Sequence, residues 1–423
     1  MSFRKICVAI AAALAVTIQI STGPALATTS STTPASLSAA PGVAASLEAT
    51  ALALMAATGI EPASGSSTPT SPSTVPGAPT AAAATAITSG AMVWWAAPNP
   101  VASPVTGYIV TPYLGPVALA GITFPSTATA EAVTGLVEGQ SYTFTVAAIN
   151  AIGAGQASGR TQSLTIVDPA LTFDDEFTGP AGADANYGMS QRYWMLDPCW
   201  KSGCAGSPTA YSSNNSYLDG NGNLVLQADQ GATGMCGSVA CQYTSAGLTM
   251  LDWANGGQPT WSQQYGTFSA RIKMPVGRGL WPAFWLEGSN DATVGWPASG
   301  EIDGVEAHGQ DPQSVSGHAI GSADGTSESL NYGGSYTLPD AQDISGWHTY
   351  SVTWSPYGIV WQVDGTTMLT MSAAQAGPSW ARSLQHPFSI LLDLTVGGPT
   401  VGLPDASTVF PAKMLVDYVR AWS

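Results

Sequence analysis

The sequence predicts an all-β chain, a large β-sandwich preceded by a smaller one. Three observations carry that prediction. Gly (47 residues) and Pro (30) punctuate the chain throughout, and both disfavour long helices. Wherever a pattern is sustained it has period two: Phe268, Ala270, Ile272 and Met274 alternate with Thr267, Ser269, Arg271 and Lys273. No stretch keeps the i, i+3, i+4, i+7 spacing of an amphipathic helix. Charged residues are only 9% of the 423 positions. Yet 14 Trp and 14 Tyr are too many for a disordered chain. The net charge of −16 excludes an electrostatic nucleic-acid binder and disfavours docking on anionic membranes.

The elements follow in chain order. Residues 1–27 have the layout of a secretory signal: Arg4 and Lys5, an apolar run over 6–20, then the small-x-small site Ala25-Leu26-Ala27. The run is shorter than the ~20 residues of a spanning helix. The expectation is therefore a secreted, extracellular protein with no membrane association after cleavage. Cleavage removes Cys7 and leaves Cys199, Cys204, Cys236 and Cys241, two copies of C-x4-C. In an exported chain these read as the local disulfides Cys199–Cys204 and Cys236–Cys241, with a four-thiolate zinc site as the alternative. Residues 28–78 are Ser, Thr, Ala and Pro with Glu48 and Glu61 as the principal charges, a composition that reads as a flexible linker. Over 79–167 short alternating runs recur (Val93 and Trp95; Tyr108 and Val110; Tyr142, Phe144 and Val146). They predict a small antiparallel sandwich. With only Glu131, Glu138 and Arg160 charged, this module reads as a spacer.

The remaining 168–423 holds 23 acidic and 8 basic residues. Tyr350, Val352 and Trp354 mark one strand, and a second strand over 359–363 runs into the tight-turn pair Asp364-Gly365. Within this domain Gly300-Glu301-Ile302-Asp303-Gly304-Val305-Glu306 packs three carboxylates into six residues, and no Lys or Arg lies between Arg278 and Arg382. On a strand Glu301 and Asp303 share a face. Glu306 joins them only if one extra residue is inserted, and Gly304 tolerates such a bulge. Regular strand rise would separate the two Glu Cα atoms by about 13 Å, which inward-leaning side chains shorten towards the ~5–5.5 Å of a retaining glycosidase. Such an enzyme needs one ionised carboxylate as nucleophile and one protonated acid for the leaving oxygen. Crowded like charges raise one of the pKa values. Asp303 is placed to tune the nucleophile. Trp281, Trp285 and Trp296 offer flat surfaces for sugar rings, and equally well fit a core. His308 and His318 lie nearby and are left out of the site.

Two resemblances follow. Trp95-Ala-Ala-Pro98, Gly107-Tyr-Ile-Val110 and the stretch around Tyr142 resemble a fibronectin type III domain with its tyrosine corner. From about Leu171 onward the chain resembles glycoside hydrolase family 16, in its laminarinase-like branch. Phe173-Asp-Asp-Glu-Phe177, Tyr265-Gly-Thr-Phe-Ser-Ala-Arg-Ile-Lys273, Gly279-Leu-Trp-Pro-Ala-Phe-Trp285, Trp296-Pro-Ala-Ser-Gly-Glu-Ile-Asp303, Gly346-Trp-His-Thr-Tyr350 and Val416-Asp-Tyr-Val-Arg420 carry the likeness in order. The resemblance implies a jelly-roll sandwich with a cleft and retaining endo-β-glucanase chemistry on β-1,3 or mixed β-1,3/1,4 glucan. It assigns Glu301 as nucleophile, Glu306 as acid/base and Asp303 as helper, with Trp285 and Trp296 near the cleaved bond. It implies a monomer that needs no cofactor for catalysis. It also implies a structural calcium at Glu176 and Asp417, for which ordinary surface acids are the equal alternative.

Three departures stand out. Gly304 replaces a larger apolar residue, which is expected to loosen packing below the cleft. Asp393 stands where Asn is common, and the stretch 194–211 lacks the usual sugar-binding pattern. The competing functions are a non-catalytic carbohydrate-binding sandwich, a related enzyme acting on another polysaccharide such as a galactan, and a metal-binding adhesive protein.

Overall fold

The computed structural model describes residues 74–99, 104–198 and 206–423. The signal-like segment, nearly all of the linker and the Cys199–Cys204 pair lie outside the described residues. The second predicted disulfide is present: Cys236 and Cys241 close the short hairpin of Met235–Cys236 and Val239–Ala240.

The small module is a β-sandwich. Thr80–Ile87, Gly90–Ala96 and Ala130–Thr134 form one sheet, and the strands around Gly107–Leu114 and Ser141–Ile149 form the other. Strand alternation sends Ala91, Val93 and Trp95 into its core against Tyr108, Phe144 and Val146. The Tyr142 hydroxyl accepts from the Val137 N–H at 3.2 Å, the corner expected of that tyrosine.

The neighbours on the opposite face do something a spacer would not. Met92 and Trp94 point away from the module's own core and bury, with Ala130, against Val360 of the large domain. The backbone N–H of Thr129 donates to Thr370 Oγ1, and that of Ser89 to Asp168 Oδ1 at 2.6 Å. The module is thus docked through an apolar contact.

The large domain is a jelly-roll of two sheets. The outer, ten-stranded sheet includes Leu224–Gln230, Ala412–Trp422, Gly266–Lys273, His348–Ser355, Gly358–Val363 and Thr366–Ser372. Asp364 and Gly365, both at positive φ (49° and 76°), make the tight turn that sequence placed there. The second sheet carries the chemistry. Its strands are β1 (Met195–Leu196), β2 (Gly247–Thr249), β3 (Leu280–Gly288), β4 (Glu301–Ala307), β5 (Ser314–Gly321), β6 (Leu330–Thr337) and β7 (Phe388–Val396). Their spatial order is β1-β2-β7-β3-β4-β5-β6, antiparallel throughout. Phe268, Ala270, Ile272, Tyr350, Val352, Trp354 and Trp361 pack from the outer sheet against Phe284, Leu286, Ile302, Val305, Ile390 and Leu392 of the inner one. Because side chains alternate, whatever β3, β4, β5 and β7 do not give to this core stands on the far face of the second sheet.

Candidate active site

The bulge predicted in β4 is where the sequence places it. Asp303 pairs with Trp285 and Val305 with Phe284, so Gly304 is the extra residue between them. Ile302 and Val305 face the core, and Glu301, Asp303 and Glu306 all stand on the far face. Gly304 does not loosen the packing beneath, contrary to expectation. A Cβ there would lie 2.9 Å from Phe284 Cδ1 and 3.1 Å from the Phe284 carbonyl oxygen, so Phe284 already fills the space.

Each carboxylate has its own partners. Trp296 Nε1 donates to Glu301 Oε2 at 2.6 Å. Trp281 Nε1 donates to Glu306 Oε1 at 2.9 Å, and His318 Nδ1 lies 2.9 Å from Glu306 Oε2 and 3.9 Å from Asp303 Oδ2. Trp361 Nε1, reaching through from the outer sheet, donates to the Asp303 carbonyl at 2.7 Å and fixes the bulge from behind.

The electrostatics follow from crowding acids in a dry site. Burial, reinforced by the charge of Glu306, pushes Glu301 up to about 7, against the hydrogen bonds from Trp296 and Asp303. Asp303 is held well above the usual carboxylate range, by burial first and then by the charges of Glu301 and Glu306. Their mutual hydrogen bond lowers Glu301 and raises Asp303, so the proton they share rests on Asp303 and the charge on Glu301. His318 is raised, chiefly by its hydrogen bond to Glu306. That residue was passed over in the sequence. The signal for it was the alternation of β5, where Val315 and Ala319 go to the core and His318 therefore joins the carboxylate face, opposite Asp303.

The three tryptophans are not equivalent. Trp296 is 49% exposed and free to stack on a ligand ring. Trp281 is half-buried, with its indole N–H on Glu306. Trp285, at 7% exposure, packs with Ala283 and Leu391 and turns its N–H onto Asp393 Oδ1 at 2.8 Å, so it supports the site's floor from within. Asp393 also accepts from Tyr211 and Thr395, at 3.0 and 2.9 Å, and burial pushes it up to about 7.

Glu176 and Asp417, the pair expected to hold calcium, each face an arginine. Arg420 reaches Glu176 with its Nε at 2.7 Å, and Arg271 Nη1 lies 2.6 Å from Asp417 Oδ2. Each acid's charge is already met by an arginine.

A β-sandwich whose bulged strand aims two glutamates and a protonated aspartate outward, flanked by indoles, has the construction of a glycosidase. Comparison with known proteins agrees. Residues 208–402 match the family model "Glycosyl hydrolases family 16" and residues 77–163 match "Fibronectin type III domain". Residues 208–402 thus form a glycosyl hydrolases family 16 domain, with a fibronectin type III module ahead of it. The chain is 33% identical over 275 residues to the glucan endo-1,3-beta-glucosidase A1 of Niallia circulans, covering 61% of this chain and 39% of that protein. It is 30% identical over 256 residues to the endo-1,3-1,4-beta-glycanase EglC of Rhizobium meliloti (strain 1021), covering 60% and 51%. The chain thus spans about two fifths to half the length of these curated relatives. The crystal structure of the endo-beta-1,3-glucanase from Pyrococcus furiosus superposes with a TM-score of 0.52 at 35% identity, covering 60% of this chain and 94% of that one.

Proposed function

We propose that this chain is an exported, retaining endo-β-glucanase that cleaves internal β-1,3 bonds, or the β-1,3 and β-1,4 bonds of mixed-linkage glucan, by double displacement. The observation that carries the reading is the division of labour along β4. The Trp296 N–H and the hydrogen bond with Asp303 favour the charged form of Glu301 against the burial that raises it, as a nucleophile requires. Glu306, steered by Trp281 and His318, is the acid that protonates the leaving oxygen and then the base that activates water. As the glycosyl–enzyme ester forms on Glu301, its charge disappears, and the acid cluster loses one of its mutual repulsions. Trp296 supplies an exposed flat face for a glucose ring beside the attacked carbon. The chemistry uses protein carboxylates alone. The glucan-acting relatives support a β-glucan as substrate, and the sequence of residues 1–27 supports export.

The test is release of reducing ends by the purified mature chain from laminarin, mixed-linkage glucan, agarose and carrageenan, alongside Glu301→Gln. Activity on laminarin or mixed-linkage glucan is expected, and Glu301→Gln should lose about a thousandfold or more. Cleavage of agarose or carrageenan alone would transfer the mechanism to a galactan. Silence on all four from folded protein would favour a carbohydrate-binding sandwich.

A further inference from the structure

We propose that Asp303, Glu306 and His318 form a binding site for a divalent transition-metal ion of the zinc or copper class, placed so that the ion shuts down hydrolysis. The binding stands on geometry alone; its inhibitory effect rests on the function proposed above.

One ligand atom from each of the three residues lies within 4.8 Å of the others, the group of this kind found among the described residues. His318 Nδ1 stands 2.9 Å from Glu306 Oε2 and 3.9 Å from Asp303 Oδ2. Two ligands held at ~2.0–2.2 Å by a tetrahedral ion sit roughly 3.3–3.5 Å apart, between those two distances. An ion entering here displaces the His318–Glu306 proton and the proton on Asp303, and asks the His318–Glu306 pair to open and the His318–Asp303 pair to close by about half an ångström each. Glu306 and His318 are both half-buried, so the position is open to solution.

Two features outside the three ligands aim them. Gly333 on β6 is the cross-strand partner of His318, and a Cβ there would fall 1.8 Å from His318 Cδ2. The imidazole therefore lies in the space a side chain would take, with Nδ1 turned to the carboxylates. On the other side, Trp281 Nε1 occupies Glu306 Oε1 and leaves Oε2 on the histidine side. Supports of this sort set ligand direction in metal sites. The donor set also selects the ion. One imidazole nitrogen with two carboxylate oxygens suits zinc or copper, whereas calcium and magnesium favour larger all-oxygen sets. A bound ion takes up the Glu306 lone pair that must carry the catalytic proton, and the ion's charge also ties up Asp303.

The test is calorimetric titration of the full mature chain with Zn2+, with Ca2+ in parallel, and Co2+ absorption as an independent readout. Thermal melts verify that each variant is folded. One zinc per chain is expected at this site, with affinity roughly tenfold or more weaker in His318→Gln and in Glu306→Gln. Zinc should also suppress reducing-end release from laminarin, reversibly with chelator. Equal zinc affinity in the parent and His318→Gln, no zinc binding by the parent, or equal preference for Ca2+ would each overturn the assignment. Zinc binding that follows this pattern in a chain inactive on every glycan would leave the metal site standing and remove the glucanase reading.

Discussion

Replacing Asp393 with Asn should flatten the pH dependence of stability, and the size of the effect can be worked from the structure. The Asp393 carboxyl is enclosed by Trp285, Tyr211 and Thr395, all of which donate to it. Burial, with the charge of Asp197 adding to it, moves its ionisation from 3.8 up to about 7. The folded chain therefore holds this proton more tightly than the unfolded chain does. Stability is highest while both forms are protonated, and it falls as pH rises from about 4 to about 7. Roughly three pH units at ~1.4 kcal/mol each give about 4 kcal/mol as the upper figure. Asparagine keeps an acceptor for the Trp285 indole and offers its amide to the Thr395 or Tyr211 oxygen, but it has nothing to ionise. The assay is urea unfolding at steps between pH 5 and 8. The variant should gain on the parent as pH rises towards 7, because the parent loses stability that the variant keeps. Glu301 carries a similar shift in both proteins, so the difference isolates Asp393. Parallel curves across that range would refute the reasoning.

Three further outcomes follow from the same geometry. Trp296→Phe keeps a flat ring but removes the N–H that lowers Glu301. The acidic limb of kcat/KM should move to higher pH, and kcat should fall about ten- to a hundredfold for a lost charge-assisted hydrogen bond of ~1.5–3 kcal/mol; an unmoved limb counts against Glu301 as the ionising nucleophile. Gly304→Ala drives a methyl into Phe284 below the bulge and should cost ~1–3 kcal/mol in thermal unfolding, with a loss of kcat as Asp303 and Glu306 shift. Trp94→Ala empties the contact between module and large domain. A cost of about 3 kcal/mol, read as a lower Tm with kcat on laminarin retained, is expected, and an unchanged Tm would mean the module is not docked in solution.

Much of this was legible in the sequence because strands alternate. Period two in 266–274 and 349–354 fixed which residues reach the core, and the same rule applied to 301–306 exposed the need for a bulge at Gly304. What was not legible depends on neighbours far along the chain. Trp94 and Trp95 are adjacent letters on opposite faces, and nothing local shows that Val360 waits for the first of them. The arginines that answer Glu176 and Asp417 sit 244 and 146 residues from them. His318 was left out of the site because its role is set by cross-strand register with Asp303 and Gly333, which motif spacing does not encode. Gly304 looked like lost volume; only the position of the Phe284 ring turns that into a tight fit.

In the proposed mechanism Glu301 attacks the anomeric carbon while Glu306 handles the proton. Proton NMR of the first products released from laminarin tests it most directly, before mutarotation mixes the anomers. The new reducing ends should appear as the β-anomer, with the α-anomer growing in later. Initial appearance of the α-anomer would mean single displacement by water, and would contradict the nucleophilic role of Glu301.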